Sequence, residues 1–187
     1  SMKLKKELVP KGIKQMSTFV FSPTELLPFW KLCTIGASDY LMPEREIGVG
    51  RRANRRNEYV MFISPDVDVS PASTEWLKLN ALLWRTAQYA CEENRNVTVS
   101  DTIEMDTGEK YCGTVLLLPE VLPSRDLVKC YTSAKKFISI FQVMPITREQ
   151  ISGKLSRGND GTYWLMEQFY IHDDDYNLIS SNPLATL

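Results

Sequence analysis

Phe29-Trp-Lys-Leu-Cys-Thr-Ile-Gly-Ala-Ser-Asp-Tyr40 is an apolar run that stops at Gly36 and passes into the small and acidic Ala37-Ser38-Asp39. A short apolar run closed by glycine and small polar residues predicts a buried strand that enters a tight turn. A second stretch, Phe137-Ile-Ser-Ile-Phe-Gln-Val-Met-Pro-Ile-Thr-Arg-Glu-Gln150, has the same form. Its strand-like part ends at Pro145, and Thr147 to Gln150 has the spacing of a capping box. There the Thr147 hydroxyl and the Gln150 amide would satisfy orphan N–H groups at a helix start. Two strands, one leading to a turn and one to a helix, anchor the reading of the chain.

The remaining elements build outward from these two. Residues 2–18 are lysine-rich and weakly patterned, which suits an arm or a short helix. Glu58 to Ile63 is β-rich and ends at Ser64-Pro65. The clearest helix follows, with Ser70 as N-cap, Pro71 in the first helical position and Glu75 at the positive end of the dipole. Trp76, Leu79, Leu83, Ala87 and Ala90 recur at helical spacing, and Leu82 and Cys91 widen the stripe. Trp84 sits one position off that stripe, which predicts partial exposure and marks a candidate interface. The helix fades at Glu92-Glu93-Asn94.

Val97-Thr98-Val99 reads as a short strand, and Asp106-Thr-Gly-Glu109 as a turn with Gly108 at the position tolerating positive φ. Tyr111 to Leu118 is apolar enough for a central strand. The helix from Thr147 is interrupted at Gly153 and Gly158, and Tyr163 to Phe169 forms an aromatic helical stretch. Strands and helices are interspersed without regular βαβ units. The fold class is therefore α+β or α/β, a single-domain mixed β-sheet flanked by helices. The expected organisation is an arm over 1–28, the domain over 29–176 and a tail over 177–187.

Composition bounds the function classes. The chain has 187 residues, 43% of them apolar and 24% charged, the balance of a globular domain. No apolar run approaches the roughly 20 residues that span a bilayer, so the expectation is a cytoplasmic protein with no membrane partner. Cys33, Cys91, Cys112 and Cys130 form no C-x-x-C pair, and buried or half-buried reduced thiols are expected rather than a metal site. The net charge of −1 is unevenly spread: residues 1–60 hold 11 Lys/Arg against 6 Asp/Glu, and residues 61–187 hold 11 against 17.

Reactive constellations are sparse. His172 is the only histidine, with no nucleophile motif around it. Asp66/Asp68 and Asp173/Asp174/Asp175 read as a turn and an acidic surface. A carboxylate-based enzyme would have to draw on Asp39, Glu58 or His172. Met42 to Asn57 reads as a mobile loop rich in arginine, with Arg45, Arg51, Arg52, Arg55 and Arg56. Its cluster is the best nucleic-acid candidate, but no aromatics interleave it and the overall balance is acidic, so a solvated loop, or a loop that docks on an acidic protein partner, is the favoured reading.

Trp30, Thr34, Gly36, Ser38 and Asp39, then Glu58 opening a strand, resemble the signature of the suppressor-of-fused-like domain in its bacterial form. The Trp76 helix, Asp101-Thr-Ile103, and Val143 with Pro145, Ile146 and Thr147 continue the resemblance in order over about residues 29–170. Gln150 stands where the family often has glutamate. The resemblance implies a helix-flanked mixed sheet and a non-enzymatic role in protein binding, with no catalytic residue and no cofactor. Its bacterial members look like immunity proteins or antitoxins that sequester a toxin, often a nuclease. In that reading Trp30, Thr34, Gly36, Glu58, Pro145 and Thr147 are structural. Partner contacts are expected from Ser38, Asp39, Tyr40, Arg51, Arg52, Arg55, Arg56, Asp173, Asp174 and Asp175. Steering by the acidic part of the chain would favour a basic partner.

Overall fold

The computed structural model describes residues 13, 15–105, 110–122, 128–133, 136–172 and 178–179. Seven strands form one mixed sheet in the order β1 (Ser17–Phe21), β2 (Trp30–Ile35), β5 (Asn57–Ile63), β9 (Lys136–Ile146), β7 (Gly113–Leu117) and β6 (Thr102–Glu104), with β8 (Lys129–Ser133) paired to β9. Only β5 and β9 run parallel; the other pairs are antiparallel. A two-stranded hairpin, β3 (Glu46–Gly48) and β4 (Arg51–Arg52), stands apart from the sheet. Among the described residues three α-helices flank the sheet: α1 (Thr74–Glu92), α2 (Arg148–Ser156) and α3 (Gly161–His172).

The register divides the sheet into two faces, because directly paired residues share a side. Leu32 pairs with Met61 and Trp30 with Ile63; all four belong to the main core with Trp76, Leu79 and Leu83 of α1. Lys31 pairs with Phe62 and Cys33 with Val60 on the opposite face, where Phe29, Val60 and Phe62 form a smaller cluster. Helix α1 is tied to the sheet by a buried hydroxyl pair, Thr86 Oγ1 to Thr114 Oγ1 at 2.9 Å.

Several sequence expectations meet corrections. The segment read as an arm carries strand β1, as its β-branched and aromatic Ser-Thr-Phe-Val-Phe permits. Ser73, not Ser70, caps α1 and accepts from Trp76 N; the Ser70 hydroxyl is occupied by Asp68 at 2.9 Å. Trp84 is only 7% exposed, because α1 buries Leu82, Leu83, Trp84, Thr86, Ala87 and Gln88, a stripe wider than the apolar spacing alone marks out. Pro145 does not end its strand. The β5 partners of β9 stop at Gln142, so at Pro145 only β7 lies alongside and the missing N–H costs no ladder bond.

Helix α2 passes through Gly153 without interruption, and a side chain there would collide with the Trp164 ring. Residues 97–99 are not a strand; the pairing begins at Thr102. The Met42 to Asn57 segment is the β3–β4 hairpin, anchored by Met42 N to Arg55 O at 3.0 Å and Ala53 N to Arg45 O at 2.9 Å. Cys130 is exposed; Cys33 and Cys91 are half-buried and Cys112 is buried. The turn expected at Asp106 to Glu109 lies outside the described residues.

Candidate functional site

Residues of the first motif converge where β2 leaves the sheet. Strand β2 ends at Ile35, Gly36 adopts φ +103°, and Ala37–Asp39 forms one turn of 3-10 helix. A Cβ at Gly36 would strike the Gln15 carbonyl oxygen, so both the positive φ and the close backbone approach demand glycine. Glu58, near the start of β5, points its carboxylate into this turn. Its Oε2 accepts from the Thr34 hydroxyl at 2.7 Å. Its Oε1 accepts from Gly36 N at 2.9 Å, Ser38 N at 3.0 Å and the Ser38 hydroxyl at 2.7 Å. Thr34 also accepts from Tyr59 N at 2.9 Å, which joins the turn to the sheet ladder. A carboxylate from the neighbouring strand thus satisfies two N–H groups at the start of the short helical turn.

Arg56 completes the turn from its other end by donating to the Ser38 carbonyl, and to the Asp39 carbonyl at 3.2 Å. The Asp39 side chain is exposed. The Tyr40 hydroxyl donates to Asn94 Oδ1 at 2.7 Å, beyond the end of α1. Burial of Cys33 beside this network pushes its thiol up to about 12; the nearby Lys31 opposes that rise and the Glu58 charge adds to it.

A second polar cluster holds the hairpin against the body. Arg45 grips Asp101 in a bidentate pair, with the second bond at 3.0 Å, and also donates to the Asn96 carbonyl at 3.1 Å. Asp101 in turn accepts from Thr98 N at 2.9 Å. Asn96 donates to the carbonyls of Pro43 and Asn54 at 2.9 and 3.0 Å. A polar cleft of about 490 Å³ opens above this cluster, with Glu44, Tyr89 and Arg95 on its wall.

The structure therefore gathers Thr34, Gly36 and Ser38 of one short segment around the carboxylate of Glu58, which stands 20 to 24 residues further on. Trp30 packs against the main core, Pro145 lies in β9, and Thr147 caps α2. The capping box is present in full, with Gln150 N to Thr147 Oγ1 at 3.3 Å and Thr147 N to Gln150 Oε1 at 2.9 Å. Of the arginines, Arg51 and Arg52 are exposed on the hairpin, and Arg52 pairs with Glu44 at 2.6 Å. Arg55 is half-exposed, its Nε donating to the Met42 carbonyl at 2.6 Å and its guanidinium 3.8 Å from Glu44. Asp173, Asp174 and Asp175 lie outside the described residues, as does the side chain of His172.

Two groups escaped the sequence reading. Arg45 was grouped with the loop arginines, although its partner Asp101 stands 56 residues away. Lys31 interrupts an apolar strand between Trp30 and Leu32 and is nonetheless only 9% exposed. A lysine inside a buried strand was the available signal.

A mixed sheet backed by helices is the architecture that this chain shares with the solved structures it resembles. The chain belongs to the Suppressor of fused protein (SUFU) family, whose model matches residues 12–174. Solved structures share the fold. A Sufu–Fu complex aligns at 14% identity and TM-score 0.54, covering 90% of this chain and 75% of that one. Drosophila Suppressor of Fused aligns at 13% identity and TM-score 0.55, and this chain spans 42% of its length and 90% of its own. A SUFU homologue from Neisseria gonorrhoeae FA 1090 aligns at 14% identity and TM-score 0.54, over 89% of this chain and 76% of that one. No curated protein matches the sequence. Among the described residues no helix is long and apolar enough to cross a membrane.

Proposed function

We propose that this domain acts by binding another protein, and that the partner is a toxin which it neutralises, as an immunity protein or antitoxin does. The observation that carries the binding reading is an apolar patch at the β1–β2 edge of the sheet, exposed among the described residues. Phe19 and Phe21 of β1 pair with Cys33 and Lys31 of β2 and so share their face, and Ile35 follows on the same side. These three large side chains are 38%, 49% and 53% exposed. Apolar side chains gathered on one side of a sheet, next to an edge strand, are the kind of surface that protein partners cover. The solved Sufu–Fu complex is a family precedent for a protein partner.

The proposed contact set also keeps the exposed Asp39, Arg51 and Arg52 as rim groups, together with Ser38, Tyr40, Arg55, Arg56 and Asp173 to Asp175. The toxin identity rests on the resemblance of the motifs to bacterial members, and the acidic charge balance of residues 61–187 suits a basic partner.

The test is co-expression with toxin-like proteins encoded beside the gene. A stoichiometric complex, and growth restored when the toxin is co-expressed, is the expected result. Neither complex nor rescue with any neighbouring product overturns the antitoxin reading.

A further inference from the structure

We infer that the groove on the Phe62 face of the sheet binds an apolar segment of the protein partner, anchored by one carboxylate of that segment on the Lys31 ammonium. This rests on the protein-binding reading and names the chemistry of the partner's contact. The groove, about 580 Å³, is walled by Phe21, Leu27, Val60, Phe62, Leu122 and Ile140. Lys31 is the charged side chain in that lining.

The argument comes from what Lys31 has and what it lacks. Its Nζ donates to the Ser22 carbonyl at 2.7 Å and the Leu27 carbonyl at 3.3 Å. An ammonium carries three donors, so one is left over. Its positive charge faces the Phe29 ring at 5.7 Å, and it forms no ion pair among the described residues. Burial pushes its pKa down, and the neighbouring Cys33 opposes that fall. A lysine held in an apolar wall costs stability unless something supplies the counter-charge.

The chemistry of the wall selects the occupant. A single compact ammonium, with no guanidinium fork beside it, suits one carboxylate better than a phosphate, which asks for several converging donors. The surrounding aliphatic and aromatic side chains ask for apolar neighbours on either side of that acid. Exposed Phe19 and Ile35 lie on the same face as the groove residues Phe21, Lys31 and Cys33, so apolar surface for an object longer than one side chain is present beside the groove. An Asp or Glu flanked by residues such as Leu, Val or Phe on a protein segment meets all three demands.

The experiment is selection from a random displayed peptide library against the full chain, followed by a double-mutant cycle. Enriched peptides are expected to carry Asp or Glu among apolar residues. Lys31→Met should weaken them about thirty-fold, the scale of a desolvated charge pair losing one member. Replacing the peptide acid by its amide should weaken binding to the wild type and leave binding to Lys31→Met nearly unchanged. Phe21→Asp, at a half-exposed position, should abolish binding while the thermal midpoint stays near wild type. Peptides indifferent to both substitutions, or no enrichment at all, overturn the inference. So does a dimer that Phe21→Asp dissociates, which would give the groove to a second copy. A toxin complex that survives Lys31→Met and Phe21→Asp refutes the groove while leaving the protein-binding reading intact.

Discussion

Replacing Glu58 tests whether its carboxylate builds the turn. The carboxylate takes four hydrogen bonds, two of them from the backbone N–H groups of Gly36 and Ser38. In Glu58→Ala the two hydroxyls can rotate toward water, but the two N–H groups lose their acceptor in a half-buried turn. At about 1.5 kcal/mol for each bond to a charged acceptor, the expected loss is about 3 kcal/mol. Glu58→Gln is different. Its carbonyl can still accept from Gly36 N, Ser38 N and the Ser38 hydroxyl, while its NH₂ donates to Thr34 Oγ1. The Thr34 proton then swings to the Tyr59 carbonyl, now 3.4 Å away. Every group keeps a partner and only the charge is lost, so the cost is about 1 kcal/mol. Urea unfolding at neutral pH, with the denaturant slopes compared, reads both values. Amide exchange at Gly36 and Ser38 should accelerate in the alanine variant before the rest of the sheet responds. An alanine variant within about 0.5 kcal/mol of wild type, or a glutamine variant as damaged as the alanine one, refutes the reasoning.

Gly153→Ala should destabilise α2 by about 1 to 3 kcal/mol, because the added methyl meets the Trp164 ring. Helix propensity alone predicts a gain of about 1 kcal/mol, so the sign of the change in thermal melting decides. A double-mutant cycle on Arg45→Ala and Asp101→Ala should give a coupling of about 1 kcal/mol, at the upper end for pairs of this exposure because the contact is bidentate. Coupling below about 0.2 kcal/mol in chemical denaturation would remove the pair as the hairpin's anchor. Cys33 holds its proton in the folded state up to about 12, against 9.0 for the free thiol. Its stabilisation is therefore full below pH 9 and is lost as pH rises from 9 to 12, by at most about 1.4 kcal/mol per pH unit. Cys33→Ala should flatten that part of the alkaline stability curve; an unchanged slope counts against a buried neutral thiol.

Much of the fold was legible because it rests on local patterns. The runs at 30–35, 57–63 and 136–146 are apolar enough to read as strands, and the Thr147 box stands with both bonds made. The misreadings share one cause: a local rule met a tertiary neighbour. Proline ends strands only where both sides are paired, and at Pro145 one side is not. Glycine breaks helices only where nothing needs the space, and at Gly153 Trp164 needs it. Ser70 is a good cap, but Asp68 two residues earlier takes its hydroxyl and Ser73 does the capping. The arginine loop looked solvated because the partners of Arg45 and Arg56 come from distant or backbone groups that no spacing rule connects.

The same distinction separates family from partner. In the first motif the Thr34 and Ser38 hydroxyls and the Gly36 and Ser38 N–H groups are all spent on Glu58. Such a cluster can be recognised in a sequence because the turn allows few residue types, and for that reason it describes the scaffold. Groups already saturated within the fold have little left to offer a partner, since every bond to an outside atom would have to displace an internal one. Specificity must then fall to groups that the fold leaves underused. Lys31 is the clearest of these: a strand position that packing would give to an aliphatic residue, holding a cation with one donor to spare. Changing Glu58 should therefore be read in stability, and changing Lys31 in which peptides are bound.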